Sequence, residues 1–585
     1  MSLETWQRNR LRIAFICLFL AFGALLGRLI QLQWFNYGFY IRQAEKQHRT
    51  RVLLYAHRGM VLDREGRTLA ISTEVDSVCA DPYLIQDKGA TAKTLSEILQ
   101  ADYVDILSKL EKDKRRFAWI KRRVTRDEAE RVMRLKMGGV FLWPEEKRTY
   151  PLGCLASHVI GFVGFAETGE KGESGKEETR GCAGIEMLFD RCLAGTPGYQ
   201  YITRDGQKRS IASPGLDYKP PQHGYTVVLT LDAVIQQFVE EELDKAVALH
   251  NPKGAVAIAI SPQTGEILGM ASRPSFDPND YSSYGADAQR NRAITDYFEP
   301  GSTFKTFVFL AALEQRLIDV DVVFDCHNGA FKVGRRTIHD VHKFGDLTAA
   351  QVLINSSNIG MAQIGLKLGR RGLLNCVESY NFGQATGIEL PAEDPGKVQK
   401  KWTDYSVTSV PMGQEIGLTP LQLVTAYEAI ANGGVLHKPR IVRGVADSTG
   451  TKMLKLFPTP CRVRQVASAE VVQKKLMPIL CNVVDEGTGK LAKLPGYTVG
   501  GKTGTAQKIT REGPTGKYVS SFVGFAPGSD PKVCVLVLMD ECSNGAYYGG
   551  TVAAPAAAQI IYRTLRYWHV PPDAADQRPM VGKGL

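Results

Sequence analysis

Between Ile13 and Gly27 the chain reads IAFICLFLAFGALLG without a charge, and after Arg28 the apolar character resumes as LIQLQWF to Phe35. Counted through Arg28, the run is long enough to cross hydrocarbon, for which about 20 residues are needed. Arg8, Arg10 and Arg12 precede it with only Glu4 opposing. The positive-inside rule therefore predicts a cytoplasmic tail over 1–12, a transmembrane anchor over 13–35 and an extracytoplasmic remainder. No small-x-small cleavage site follows, and Gln31, Gln33, Trp34 and Phe35 compose an interfacial belt, which favours an uncleaved anchor over a signal peptide. Arg28, near the outer end, either snorkels or faces a partner helix.

Residues 36–220 have a mixed pattern. TAKTLSEILQ and RDEAERVMRLK read as charged helices, short strands lie between them, and the Gly/Glu/Lys-rich stretch Glu167–Arg180 reads as a mobile surface loop. At 221 the texture changes. PPQHGYTVVLTLD gives a β-branched strand and then Asp232 as N-cap of a helix over Ala233–Leu249, with Ile235, Phe238, Leu243 and Val247 at near-helical spacing. Ala255–Ile260, the turn SPQTG and Glu266–Met270 predict a hairpin. Three more strands are expected at Thr498–Lys508, Tyr518–Phe525 and Val533–Met539, the last apolar without alternation, as a strand covered on both faces should be. A helix over Ala553–Trp568 follows, and residues 285–490 between the strand groups are mainly helical in pattern. The domain over 221–585 is therefore expected to be an antiparallel sheet interrupted by a large helical insertion, in an α+β multidomain chain.

The length of 585 residues gives a prior of about two to four domains at about 150 residues each. With 44% hydrophobic and 23% charged residues, disorder and fibrous repeats are excluded. The net charge of +11 admits a nucleic acid, an anionic envelope surface or a solvated basic face. Between Lys109 and Lys136 stand twelve Lys/Arg against five Asp/Glu. No nucleic-acid motif accompanies them, and a nucleic-acid partner would be out of place outside the cytoplasm, so a solvated face or attraction to anionic lipid or wall polymer is expected. The eleven cysteines form no C-x-x-C and no Cys/His cluster, so neither a metal nor another cofactor is called for.

Three short motifs carry the candidate chemistry. Ser302-Thr303-Phe304-Lys305 follows a Pro-Gly breaker and opens a run apolar on all sides, which marks a buried helix. Three residues apart, hydroxyl and amine share a face; a buried amine holds its proton weakly, so Lys305 can act as base toward Ser302, at the positive end of the helix dipole. A second S-x-x-K, Ser529–Lys532, contains proline between two strands and lacks that context. Ser356-Ser357-Asn358 lies at a break between two apolar helical stretches, where Ser356 can relay a proton and Asn358 can hold a substrate amide, although capping is the commoner role of such residues. Lys502-Thr503-Gly504-Thr505 is expected on a strand. There a lysine with two hydroxyls suits a terminal carboxylate, and the Thr505 N–H can pair with that of Ser302 as an oxyanion hole. Gly496, Gly501, Lys502 and Thr503 also match a P-loop literally, but no apolar strand precedes Gly496 and no helical pattern begins at the lysine.

In this order the three motifs resemble those of the penicillin-binding and serine β-lactamase superfamily. The resemblance extends through nearly the whole chain and is closest to class B penicillin-binding proteins of the division-septum type. It is carried by HRGMVLDREGRTLA (57–70), RTYPLGCLASHVIGFVG (148–164), GIEMLFDRCLAGTPG (184–198), SPQTGEILGMASRPSFDPN (261–279), RNRAITDYFEPGSTFK (290–305) and YYGGTVAAP (547–555). It implies that Ser302 is the acylated nucleophile, Lys305 its base, Ser356 and Asn358 the second motif, and Lys502, Thr503, Gly504 and Thr505 the substrate-binding strand. The implied reaction is D-alanyl-D-alanine transpeptidation on peptidoglycan stem peptides of lipid-linked or nascent glycan strands, blocked covalently by β-lactams. Residues 36–220 are then the elongated pedestal, or dimerisation-type, domain and 221–585 the transpeptidase domain, with a five-stranded antiparallel sheet. No stretch is left over for a glycosyltransferase domain, so a separate glycosyltransferase and other division proteins of the inner membrane are the implied partners. The alternative is a membrane-anchored β-lactam-binding protein or β-lactamase that hydrolyses rather than cross-links.

Overall fold

A computed structural model describes residues 3–111, 116–165, 179–204, 210–211, 218–399, 401–510 and 513–574. The chain divides into two compact units, one of Met1–His57 with Gly195–His223 and one of Arg58–Ala194 with Gly224–Leu585. The first begins with the helix Leu3–Ile30, continued by one wide turn over Gln31–Phe35. From Trp6 to Phe35 it is long and apolar enough to cross a membrane. Arg28 bonds Gln31 at 2.8 Å, one polar group beside another at the expected outer end. The unit also holds a small antiparallel sheet in which Arg49–Leu54 and Tyr218–Lys219 flank Gly198–Arg204.

In the second unit, the strands Val61–Leu62 and Thr226–Leu229 pair in parallel at the centre of a seven-stranded sheet. On one side of the pair Thr68–Ala80 continues the sheet to Ala118–Lys121 and Val140–Thr149; on the other lie Val442–Ala446 and Met453–Leu456. Residues on both sides of position 220 thus contribute to one sheet. The helices Lys88–Leu99, Tyr103–Leu110 and Arg126–Arg134 pack on its outer part through Leu95, Leu99, Ile106, Leu110 and Val132. Part of the basic run between Lys109 and Lys136 is held in ion pairs. Lys109 pairs with Asp105 at 2.6 Å, Arg116 with Asp81 at 3.3 Å, Lys121 with Glu128 at 2.6 Å, Arg122 with Glu145 at 2.5 Å and Arg131 with Asp127. Of these acids, Asp81, Asp105 and Glu145 lie outside the run itself. The expected loop Glu167–Arg180 lies outside the described residues except for its end, where Thr179–Gly181 is a strand.

The catalytic-type layer is built on α1 (Ala233–His250), which Asp232 caps by accepting the Val234 N–H at 2.9 Å, and on the hairpin of β1 (Gly254–Ile260) and β2 (Ile267–Arg273). Then come α2 (Lys305–Glu314), α3 (Ala349–Ile354), α4 (Asn358–Ser379) and α5 (Pro420–Ala431). Strands β3 (Gly500–Thr510), β4 (Gly513–Ala526) and β5 (Val533–Asp540) and the helix α6 (Ala554–Tyr567) complete the layer. The sheet runs β2–β1–β5–β4–β3, antiparallel throughout. One face packs Ala257, Val535 and Val537 against Ile235 and Val239 of α1 and Ile560 and Ile561 of α6. The other packs Val256, Ile258 and Leu536 against the insertion, including Phe304, Val308 and Val424. β5 is uniformly apolar because both of its faces are covered.

Candidate active site

The Pro300-Gly301 breaker ends in a one-turn helix, Gly301–Thr303, that delivers Ser302 to the head of α2. Phe304 and Phe307 anchor it in the core, with Phe307 5.1 Å from the Tyr427 ring. Tyr427 fixes the turn from beneath: its hydroxyl donates to the Thr303 carbonyl at 2.7 Å and in turn accepts from Thr306 at 2.8 Å. Gly301 and Gly413 touch backbone to backbone, the Gly301 N–H donating to the Gly413 carbonyl at 3.2 Å. Ser302 remains partly exposed, on the wall of a cavity of about 670 Å³.

Lys305 is fully buried behind that wall. Its amine lies 2.6 Å from the Ser356 carbonyl, 3.2 Å from Ser356 Oγ and 2.8 Å from Asn358 Oδ1. Burial lowers its pKa to about 7 against the opposing pull of Asp340. The second motif occupies the break between α3 and α4. Ser356 takes a left-handed conformation at φ 59° and Ser357 caps α4, accepting the Gly360 N–H at 3.0 Å, while Ser356 and Asn358 line the cavity. The hairpin Ala330–Val333/Arg336–His339 and the residue after it, Asp340, lie against this break.

Lys502 is also fully buried, on β3, and its described hydrogen bond is a long one of 3.4 Å to the Thr503 carbonyl. Desolvation, and then the charge of Lys305, hold its pKa well below that of a free amine. Strand alternation sends Thr503, Thr505 and Gln507 to the cavity wall while Lys502 lies behind it. Thr503 Oγ1 is 2.7 Å from Thr488 Oγ1, and Thr505 Oγ1 accepts the Gly549 N–H at 3.0 Å. Gly504 is where β3 crosses the serine turn: a Cβ there would stand 2.5 Å from Ser521 Oγ and 2.9 Å from the Pro300 carbonyl. Of the eight residues picked from the three motifs, Ser302, Ser356, Asn358, Thr503 and Thr505 line one cavity, Lys305 and Lys502 are buried behind it, and Gly504 packs on the serine turn. The literal P-loop string runs into β3 rather than into a helix, and Ser529, Asp530 and Pro531 of the second S-x-x-K line a different cavity.

The match to known sequences is made on both parts of the chain. Residues 255–562 match the penicillin-binding protein transpeptidase domain and residues 53–229 the penicillin-binding protein dimerisation domain. The chain is a class B penicillin-binding protein. It is 30% identical over 570 residues to the peptidoglycan D,D-transpeptidase FtsI of Escherichia coli, covering 95% of this chain and 92% of that one. It is 34% identical over 529 residues to the stage V sporulation protein D of Bacillus subtilis, covering 87% and 78%. Among solved structures, penicillin-binding protein 3 of Mycobacterium tuberculosis complexed with aztreonam aligns with a TM-score of 0.68 at 27% identity, covering 90% of this chain and 99% of that one.

Several residues of this penicillin-binding protein's site carried no signal in the sequence. Asp340, in HDVHKF, accepts hydrogen bonds at the head of α4; Tyr427 lies within an apolar helix; Gly413 and Thr488 belong to no motif. Their roles arise from tertiary neighbours far away in the chain, which spacing along it does not reveal.

Proposed function

We propose that this protein is a serine-type peptidoglycan D,D-transpeptidase. Ser302 Oγ attacks the carbonyl of the penultimate D-alanine of a stem peptide as Lys305 Nζ takes its proton. The N–H groups of Ser302 and Thr505 receive the oxyanion. The peptide bond breaks, Ser356 relays a proton from Lys305 to the departing amine, and terminal D-alanine leaves. An amine of a neighbouring stem peptide then attacks the acyl ester, loses its proton to Lys305 and restores the Ser302 hydroxyl. Thr503 and Thr505 hold the terminal carboxylate at the wall, Lys502 supplies positive charge from behind, Gly504 gives the strand its approach, and Asn358 holds a substrate amide.

The observation that carries this reading is the fully buried amine of Lys305, with its pKa down to about 7, in contact with Ser356 and Asn358 behind the cavity that bears Ser302. Such an amine is substantially neutral at physiological pH and can act as a base. The name of the FtsI relative supports the substrate, and the aztreonam complex of the mycobacterial relative supports binding of β-lactams. We further propose a cytoplasmic tail over 1–12, an anchor over 13–35, an extracytoplasmic pedestal over 36–220 and the transpeptidase domain over 221–585. Septal wall synthesis beside a glycosyltransferase and other division proteins completes the proposal. The test is covalent labelling by a fluorescent penicillin. Wild type labels one-to-one and Ser302→Ala does not; a mutant that still labels refutes the assignment, and rapid release of hydrolysed drug points to a β-lactamase instead.

A further inference from the structure

Asp340 holds the second motif from outside it. Its Oδ2 accepts the Ser357 hydroxyl at 2.7 Å, while its Oδ1 accepts the N–H of Asn358 and, at 3.1 Å, that of Ile359. One carboxylate thus satisfies two of the orphan donors at the head of α4 and the side chain that caps a third. Next to it, the His339 carbonyl accepts Asn358 Nδ2 at 3.0 Å. That contact fixes which way the amide faces: with Nδ2 turned to His339, Oδ1 must face the Lys305 amine. The orientation of Asn358 and the position of Lys305 therefore depend on the short strap His339-Asp340.

The strap also carries charge. Among the described residues, the charged groups that act on the Lys305 amine are Asp340 and Lys502 on β3; Cys326 lies against Ser357, and Glu299, His342, Lys490, Tyr518 and Tyr548 are the titratable groups on the cavity wall. Lys502 opposes a second positive charge. Asp340 is the group whose field favours the ammonium form of Lys305. Taking the Ser302 proton turns Lys305 from amine to ammonium, so charge appears at Lys305 as the reaction proceeds. A fixed anion beside it stabilises the transition state more than the ground state.

We propose that Asp340 is a positioning residue of the transpeptidase site: it orients the second motif through the head of α4, and its negative charge stabilises the ammonium that Lys305 becomes when it accepts the Ser302 proton. The inference rests on the roles proposed above for Ser302 and Lys305. Those roles fail if Ser302→Ala still labels, whereas the present inference fails on a different measurement, the pH dependence of the labelling rate.

That rate constant is measured on the full-length protein in detergent across the neutral range, for wild type, Asp340→Asn, Asp340→Glu and Ser357→Ala. Asp340→Asn is expected to slow labelling on the alkaline plateau by about ten- to a hundredfold. It should also move the acid limb to lower pH, because a lysine without its anion gives up its proton more readily. The deficit relative to wild type therefore narrows as pH falls. Ser357→Ala keeps the charge and is expected to lower the rate by one factor at every pH, leaving the limb where it is in wild type. Asp340→Glu keeps the charge at a longer reach and should return the limb toward the wild-type position; it takes the place of Asp340→Asn as the decisive variant if that protein does not fold, with a smaller downward shift expected. A limb that stays at the wild-type pH in both Asp340 variants, or a deficit constant across pH, overturns the proposal.

Discussion

Among the described residues, Lys305 and Lys502 are two amines buried without a carboxylate bonded to either, and each has a distinct consequence. In the proposed mechanism Lys305 must be neutral to accept the Ser302 proton, and burial lowers its pKa to about 7. Penicillin labelling should therefore be constant above that pH and fall about tenfold per unit below it as the amine becomes protonated. A stopped-flow pH profile checks this, and Lys305→Ala should eliminate the limb together with at least about a thousandfold of the rate. Lys502 is held well below the usual lysine range by burial and then by the charge of Lys305. A bound carboxylate reverses the balance by favouring the ammonium form. Binding of a carboxylate-terminated acyl-D-Ala-D-Ala peptide to the Ser302→Ala protein should therefore take up protons at neutral pH. Calorimetry in buffers of different ionisation enthalpy measures that uptake, and an uptake that is unchanged when Lys502→Ala is added assigns it to another group.

At the level of elements, the site is the contact of one strand with one turn. β3 alternates, so Thr503 and Thr505 share a face while Gly504 crosses the serine turn, with room for a hydrogen atom and no more. Gly504→Ala would drive a methyl group into Ser521 Oγ and the Pro300 carbonyl, and overpacking of this kind costs about 1–3 kcal/mol. The expected result is a folded protein, by thermal unfolding, whose labelling rate drops about a hundredfold as β3 and Ser302 separate. These elements were legible in the sequence because each has a one-dimensional signature: β5 is apolar on both faces, α1 begins at a capping aspartate, and α2 follows a Pro-Gly breaker. Asp340 and Tyr427 were not legible. Asp340 acts on a helix beginning 18 residues later, and Tyr427 on a carbonyl 124 residues away, contacts that leave no periodic trace. The partners of the basic run were hidden for the same reason, since Asp81, Asp105 and Glu145, which pair with it, lie outside it in the chain.

At the scale of the molecule, the stretches that most resemble the family outside the catalytic motifs meet in a buried ionic cluster of the second unit. Arg58 comes from 57–70, Arg148 from 148–164, and Glu186 and Asp190 from 184–198. Glu186 is fully buried and receives both guanidinium groups, Arg58 at 2.7 Å and Arg148 at 2.6 Å; Arg58 also pairs with Asp190 at 2.7 Å, and Arg148 bonds the Gly59 carbonyl at 2.8 Å. The cluster joins the central strands of the seven-stranded sheet to the helices around Glu186, far along the chain from Ser302. Removing one partner from such a cluster leaves the others charged and buried, at a cost of about 3–5 kcal/mol. Glu186→Ala strands two arginines and should lower the midpoint of thermal unfolding by several degrees, whereas Asp190→Ala, at a partly exposed rim, should cost less. Because none of these residues touches the catalytic cavity, Glu186→Ala that remains folded at low temperature should label with penicillin at the wild-type rate. A labelling defect at a temperature where the variant is fully folded would mean instead that this cluster is coupled to Ser302 through the packing between the seven-stranded and the five-stranded sheets.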